Sequence, residues 1–331
     1  MNDLAISFAI ATVSIFLLTV LAEHILIPIL RSHKLGQRIL DIGPRWHKSK
    51  EGTPIMGGIG FILAAMIVMA VFFIIAGMQG IASEYLGLSL TLAFAVANGA
   101  IGFVDDYCKL VKKQNEGLTR LQKLILQIAV TVGYVCIMIH TGNMPSSVQI
   151  PFTELYFGGV AWYVLAVLIL VGVINGANFT DGIDGLASSV SAVIGVFYAV
   201  VAFLAQNQSL SMVGALLIGA TFGFLIYNFH PARVFMGDTG SLFLGALIIG
   251  SAFSFGDPLV ALIVCGVFVF ELLSSALQIL YFRLTKGKRL FKMAPFHHHL
   301  EQCGWSENTI VAVFSGIEAL LCALAYFVFG F

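Results

Sequence analysis

The sequence predicts an all-α, polytopic integral membrane protein of ten transmembrane helices with both termini on the extracytoplasmic side. Three observations carry this reading. Of the 331 residues, 59% are hydrophobic and only 10% are charged, whereas a soluble domain carries about a quarter charged residues. So few charges cannot cover a surface facing water. The apolar residues also gather into runs of about 20, the length a hydrocarbon core demands of a helix. Finally, the 17 lysines and arginines occupy only alternate connections between those runs.

Read on length and apolarity, the spans fall at about 4–30, 55–77, 85–104, 121–141, 160–177, 185–205, 210–229, 239–255, 258–284 and 308–330. The breaks between them carry turn chemistry, as at Gly77-Met78-Gln79-Gly80, Thr141-Gly142-Asn143-Met144-Pro145, Gln206-Asn207-Gln208 and Phe255-Gly256-Asp257-Pro258. The first run lacks a basic leader and is too long for a signal segment, so it is expected to remain as a helix. The longest polar segments, 31–54 and 285–307, are too short to bury a core of their own. The chain 1–331 therefore reads as a single transmembrane domain. Cysteines 108, 136, 265, 303 and 322 form no CxxC pair and read as reduced packing residues.

Six basic residues lie between Arg31 and Lys50, five between Lys109 and Lys123, one at Arg233, and five between Arg283 and Lys292. With ten spans, all four groups fall on one side. The positive-inside rule makes that side cytoplasmic. The formal net charge is zero, so no global field points to a nucleic-acid partner.

The same cytoplasmic connections hold the polar motifs. They contain GTPIMGG at 52–58, Asp105-Asp106-Tyr107-Cys108-Lys109, NFTDGIDG at 178–185, Asn228 with FMGDTGS at 235–241, and MAPFHHH at 293–299. Acidic, amide and imidazole groups from five connections thus meet one membrane face, a candidate site built from helix ends. Asp105 and Asp106 close an inward-running span, where the helix dipole disfavours carboxylates. They read either as a solvated end paired with Lys109 or as a carboxylate pair that binds metal or handles a proton. Asp181 and Asp184 open the sixth span and are natural helix caps. Capping alone does not account for four polar residues plus Gly182 and Gly185 within eight positions, and such a helix start can face a nucleobase or phosphate. Asp238 precedes the eighth span and is either an N-cap or an oxygen ligand for Mg²⁺, which bridges phosphates through one or two carboxylates. His297, His298 and His299 cannot all face one zinc and match Mg²⁺ poorly. Hydrogen bonds to phosphate or sugar oxygens suit them better than a role as an exposed loop. Glu271, Ser274, Ser275 and Gln278 form one polar stripe on the ninth span, where an intramembrane carboxylate must face protein or water.

At these motifs the chain closely resembles the bacterial phospho-N-acetylmuramoyl-pentapeptide transferases, within the polyprenyl-phosphate N-acetylhexosamine-1-phosphate transferase superfamily. The carriers run from about Arg45 to Trp305: GTPIMGG, DDYCK at 105–109, NFTDGIDGLA at 178–187, FMGDTGS, and MAPFHHHLEQCGW at 293–305. The resemblance implies that phospho-MurNAc-pentapeptide passes from UDP-MurNAc-pentapeptide to undecaprenyl phosphate, giving lipid I and UMP, with Mg²⁺ as cofactor. It implies a bacterial plasma membrane location and a homodimer. It also implies that Asp238 binds the metal and that Asp105 and Asp106, with Lys109, handle the acceptor phosphate or its proton. Asn178, Asp181, Gly182, Asp184 and Phe235, with Asn228, match the nucleoside region. Gln278 and His297 to His299 match the donor region, and Lys48 and Lys123 align less securely. A GlcNAc-1-phosphate transferase is the alternative within the class. An ion-coupled transporter is the alternative outside it, but transporters place their sites near the midplane, often between repeats, and here the titratable groups crowd one face.

Overall fold

Exposed large apolar side chains mark where this chain meets lipid. On the first helix Ile6, Ile10, Val13, Leu17, Leu21, Ile25 and Ile29 all stand outward, spaced at three or four residues so that they form one continuous stripe. In water such a stripe would be a liability; against acyl chains it needs no cover. The computed structural model describes residues 2–32, 50, 52–111, 117–150, 153–255, 258 and 260–329. Among them the helices are α1 (Asn2–Ser32), α2 (Gly58–Met78), α3 (Leu86–Val111), α4 (Arg120–His140), α5 (Gly159–Thr180), α6 (Leu186–Ala205), α7 (Gln208–Asn228), α8 (Gly237–Phe255), α9 (Val260–Val264), α10 (Gly266–Leu284), α11 (Phe296–Glu301) and α12 (Glu307–Phe329). Ten of these are long and apolar enough to cross a membrane. The chain is a multi-pass membrane protein, as its composition predicts.

Burial grades from lipid to centre. In the most apolar stretch of α1, 22% of residues are buried, against 83% in α8. Helix α8 is thus the axis of the bundle, held by α3 and α5. An alanine Cβ at Gly102 of α3 would collide with the backbone of Asp238, so this glycine lets α3 and α8 touch where the carboxylates meet. Buried aromatic rings fill the other end, with Trp162 stacked on Phe253 at 6.0 Å and its indole N–H donated to the Pro145 carbonyl at 3.0 Å.

The structure departs from the sequence reading at several places. The ninth span is not one helix over 258–284. It breaks at Cys265 (φ −105°, ψ 23°) into α9 and α10. The freed Val267 N–H donates to Glu318 of α12 at 3.0 Å, so a distant carboxylate makes the break tolerable in an apolar setting. The outer connection between α4 and α5 carries an antiparallel hairpin, β1 (Ser147–Gln149) with β2 (Tyr156–Gly158), where only a plain turn was expected. Helices α3, α5 and α8 extend past their expected ends. Asp105 and Asp106 therefore sit within α3, Asn178 within α5, and Asp238 in the first turn of α8. The PFHHH segment, placed by the sequence within a polar connection, winds into α11.

Candidate active site

Three carboxylates and two lysines converge where α3, α4, α5 and α8 meet. The Lys109 ammonium lies 2.6 Å from Asp105, 2.9 Å from Asp238 and 3.6 Å from Asp106. Lys123 reaches the same Asp238 oxygen at 2.9 Å and the Asn178 amide oxygen at 3.4 Å. Lys123 is delivered by a capping box: the Thr119 hydroxyl accepts the Gln122 N–H while the Gln122 side chain accepts the Thr119 N–H. This fixes the first turn of α4. From α5, the Asn178 amide donates to the second Asp238 oxygen at 2.7 Å and to Ser241 at 2.8 Å.

The dipole conflict posed by two aspartates near the end of α3 is resolved by α8. Asp106 accepts the Asp238 N–H at 3.2 Å, the Thr239 N–H at 2.9 Å and the Thr239 hydroxyl at 2.7 Å. It caps the N-terminus of a neighbouring helix, whose dipole favours an anion. Asp105 accepts the Leu118 N–H at 2.8 Å. Both are almost fully buried, at 3% and 2% exposure, whereas the side chains of Asp238 and Lys109 remain 17% and 28% exposed. The open mouth of the site is therefore Asp238 with Lys109.

Oxygens of Asp105, Asp106 and Asp238 lie within 4.8 Å of one another. Three carboxylates against two ammonium groups leave one negative charge to offset, on hard oxygen donors of the type that suits a divalent cation bound beside phosphates. These residues therefore fit a metal ion. A second cluster, Asp184, His230 and Glu307, has similar spacing, but there the Lys50 ammonium stands 2.6 Å from Asp184 and 2.7 Å from Glu307 and fills the cation's place.

The remaining expected residues divide. Asp181 and Gly182 are half-buried in the turn between α5 and α6. Burial, followed by the Asp238, Asp106 and Asp184 carboxylates, pushes the Asp181 carboxyl well above the usual carboxylate range. Phe235 is half-buried beside the site, its backbone paired with Pro54 and Gly57. Asn228 is buried, accepting the Ser188 hydroxyl and donating to the Val234 carbonyl, so its amide holds the segment that carries Phe235. Gln278 ties down the segment before α11, accepting the Leu290 and Phe291 N–H groups and donating to the Phe291 carbonyl. Lys48 lies outside the described residues.

The three histidines point three ways. His297 is fully buried, with Nδ1 3.0 Å from Glu271 and its N–H donated to the same carboxylate at 3.1 Å. Expected with its neighbours to offer hydrogen bonds to donor oxygens, His297 instead spends its Nδ1 and its backbone N–H on Glu271. Since a carboxylate only accepts, Nδ1 carries the proton. His297 Nε2 abuts Gly182, where a Cβ would clash with it. His298 pairs with Glu301 at 2.6 Å. His299 accepts the Lys292 N–H at 3.1 Å and lies 3.8 Å from the Cys303 sulfur. The polar stripe on α10 thus anchors α11, through Glu271 to His297 and through Ser274 to the Phe296 N–H. Glu301, Glu307 and His230 are contacts the sequence reading did not single out. The only signal for Glu307 was its place as an acidic residue opening the last span.

Comparison with known proteins places this geometry in a family. Residues 88–256 match the family described as glycosyl transferase family 4. Proteins named phospho-N-acetylmuramoyl-pentapeptide-transferase align along almost the whole chain. The Bacillus licheniformis protein is 43% identical over 317 residues and that of Bacillus subtilis 41% over 314, each covering 95% of both chains. The Caldicellulosiruptor bescii protein is 38% identical over 324 residues, covering 97% of both. With identity of this order across nearly its full length, and with the motif aspartates and lysines gathered at one centre, the chain belongs to the phospho-N-acetylmuramoyl-pentapeptide-transferase family.

Proposed function

We propose that this protein transfers phospho-MurNAc-pentapeptide from UDP-MurNAc-pentapeptide to undecaprenyl phosphate at the cytoplasmic face of a bacterial plasma membrane, giving lipid I and UMP. On the family resemblance it works as a homodimer, and the partition of basic residues puts both termini on the extracytoplasmic side. The observation that carries the reaction is the convergence of Asp105, Asp106 and Asp238 with Lys109 and Lys123 in one partly exposed cluster.

An oxygen of the acceptor phosphate attacks the β-phosphorus of the donor. A new P–O–P bond forms, the bond from the β-phosphorus to the bridging oxygen breaks, and UMP leaves with that electron pair. Both reactants are anionic, so the barrier is largely one of repulsion and alignment. Lys109 and Lys123 bear on the phosphates from two helices, and Asn178 holds the Asp238 carboxylate in place. Asp238, with Asp105 or Asp106 alongside, would hold Mg²⁺, which would supply neutralisation of the phosphate charge. Asp181, Gly182 and Phe235 take the nucleoside, while His298 and the α11 segment face the sugar-peptide part.

Direct attack is favoured over a covalent aspartyl-phosphate. The acceptor phosphate, with a second pKa of about 6, is already largely dianionic near neutrality. Asp105 is also engaged by Lys109 and the Leu118 N–H, which weakens it as a nucleophile. Purified protein given the donor alone should therefore release no UMP, and release should begin when undecaprenyl phosphate is added. A stoichiometric UMP burst without acceptor, absent in Asp105→Asn, would instead indicate the covalent route.

The orientation has its own test. Cys303 is exposed and Cys108 half-buried, both beside basic segments. An impermeant thiol reagent applied to intact cells should label neither, and should label Cys303 in inverted vesicles. Strong labelling of Cys303 from outside would reverse the topology.

A further inference from the structure

Both oxygens of Asp184 already accept hydrogen bonds from within the protein. One oxygen takes the Lys50 ammonium at 2.6 Å, and the other takes the Ala232 N–H at 3.0 Å and His230 Nδ1 at 2.9 Å. What holds this arrangement is Glu307, the first residue of α12. A single Glu307 oxygen accepts both the Lys50 ammonium at 2.7 Å and the backbone N–H of Asp184 at 2.9 Å. Its other oxygen lies 3.7 Å from His230 Nδ1. The Glu307 side chain is only 9% exposed.

Four segments far apart in sequence are thereby clamped together. They are Lys50, two positions before the GTPIMGG motif, the turn at 181–185, the segment 230–235, and the start of α12. Each of the first three leads directly to a candidate nucleotide contact. Lys50 precedes Pro54, whose carbonyl accepts the Phe235 N–H at 2.8 Å. Asp184 lies two residues from Gly182, which faces the His297 ring. His230 and Ala232 begin the stretch that ends in Phe235. The clamp is charge-assisted on every arm, which makes it stiff as well as strong. Removing one member leaves the others buried without their partners, which costs more than a surface ion pair does.

We propose that Glu307 is a positioning residue for nucleotide binding. It touches no substrate, but through Lys50 and the Asp184 N–H it sets the turn at 181–185 and, with His230, the segment carrying Phe235. This inference rests on the proposed UDP-linked donor. It separates Glu307 from the phosphoryl-transfer carboxylates, which occupy the other cluster, so its loss should weaken donor binding and leave the chemistry and the lipid untouched.

The test is steady-state kinetics of the purified full-length protein, varying donor and undecaprenyl phosphate separately, with UMP as a competing inhibitor. Glu307→Gln should raise the KM for UDP-MurNAc-pentapeptide about tenfold or more and weaken UMP inhibition by the same factor. The kcat should stay within about threefold and the lipid KM should not change. His230→Gln, at a ring that is 41% exposed and so removable without unfolding, should show the same signature at smaller size. Glu307→Asp should recover part of the donor affinity. Unchanged donor KM and UMP inhibition in both Glu307→Gln and His230→Gln would overturn the proposal. So would a parallel loss in donor KM, lipid KM and kcat, the mark of a general structural defect. Wild-type protein that does not consume the donor at all would instead count against the proposed reaction.

Discussion

Asp238→Asn should abolish turnover, by at least on the order of 100-fold, in a protein that remains folded. The carboxylate is the point on which Lys109, Lys123 and Asn178 converge. One oxygen receives Lys109 and Lys123, both at 2.9 Å, and the other receives the Asn178 amide at 2.7 Å. Asparagine keeps the shape but removes the charge. It substitutes an amide donor that faces either the Asn178 amide or the two ammonium groups. The fold should survive because the Asp238 side chain is partly open to solvent and it is the backbone N–H of Asp238, not its side chain, that joins the Asp106 cap. The companion variant behaves differently. Asp106→Asn strikes the cap itself, where two N–H groups and a hydroxyl converge, so it should lower thermal stability as well as activity. The pair is read by turnover beside melting temperature in detergent. Near wild-type turnover in Asp238→Asn would remove that residue from the mechanism.

UDP-MurNAc-pentapeptide should be used well and UDP-GlcNAc scarcely at all. Uridine is common to both donors, so the choice must be made elsewhere. The segment from Lys286 to Trp305 is held beside the cleft by Gln278, Ser274 and Glu271. Its α11 helix brings His298 alongside Gly182, with Nδ1 fixed by Glu301. A site built to hydrogen-bond a group that the analogue lacks can reject it by as much as roughly 10⁴-fold. His298→Ala should sharply reduce turnover of the MurNAc donor while UMP inhibition survives. Comparable rates with both donors would set aside the peptidoglycan substrate and leave the superfamily reaction standing.

Much of this was legible in the sequence, for a physical reason. The solvent requirement acts residue by residue, so ten apolar runs and the basic partition predict ten spans without any tertiary information. The carboxylate centre was legible because Asp105, Asp106 and Asp238 are ionisable groups placed at helix ends on one face. What escaped depends on partners distant along the chain. The break at Cys265 rests on Glu318, and α11 rests on the stripe from Glu271 to Gln278. The turn at 181–185 rests on Glu307, a residue that reads from sequence as an ordinary acidic first turn. The hairpin at 147–158 has strands of three residues each, too short for an alternating pattern to stand out in a chain this apolar. The histidine triplet misled in part. Three adjacent imidazoles suggest one shared surface, but consecutive positions on a helix face different ways, and His297 is directed inward to Glu271.

The claim that this centre moves a phospho-sugar, and not a sugar alone, has one direct test. UDP-MurNAc-pentapeptide labelled in its β-phosphate is incubated with purified protein, undecaprenyl phosphate and Mg²⁺, and the nucleotide and lipid fractions are separated. The label should pass into the lipid fraction as a pyrophosphate-linked product, with an equal amount of unlabelled UMP, and the transfer should stop on chelation and in Asp238→Asn. Label retained in the nucleotide as UDP, with the sugar alone passing to lipid, would contradict the account.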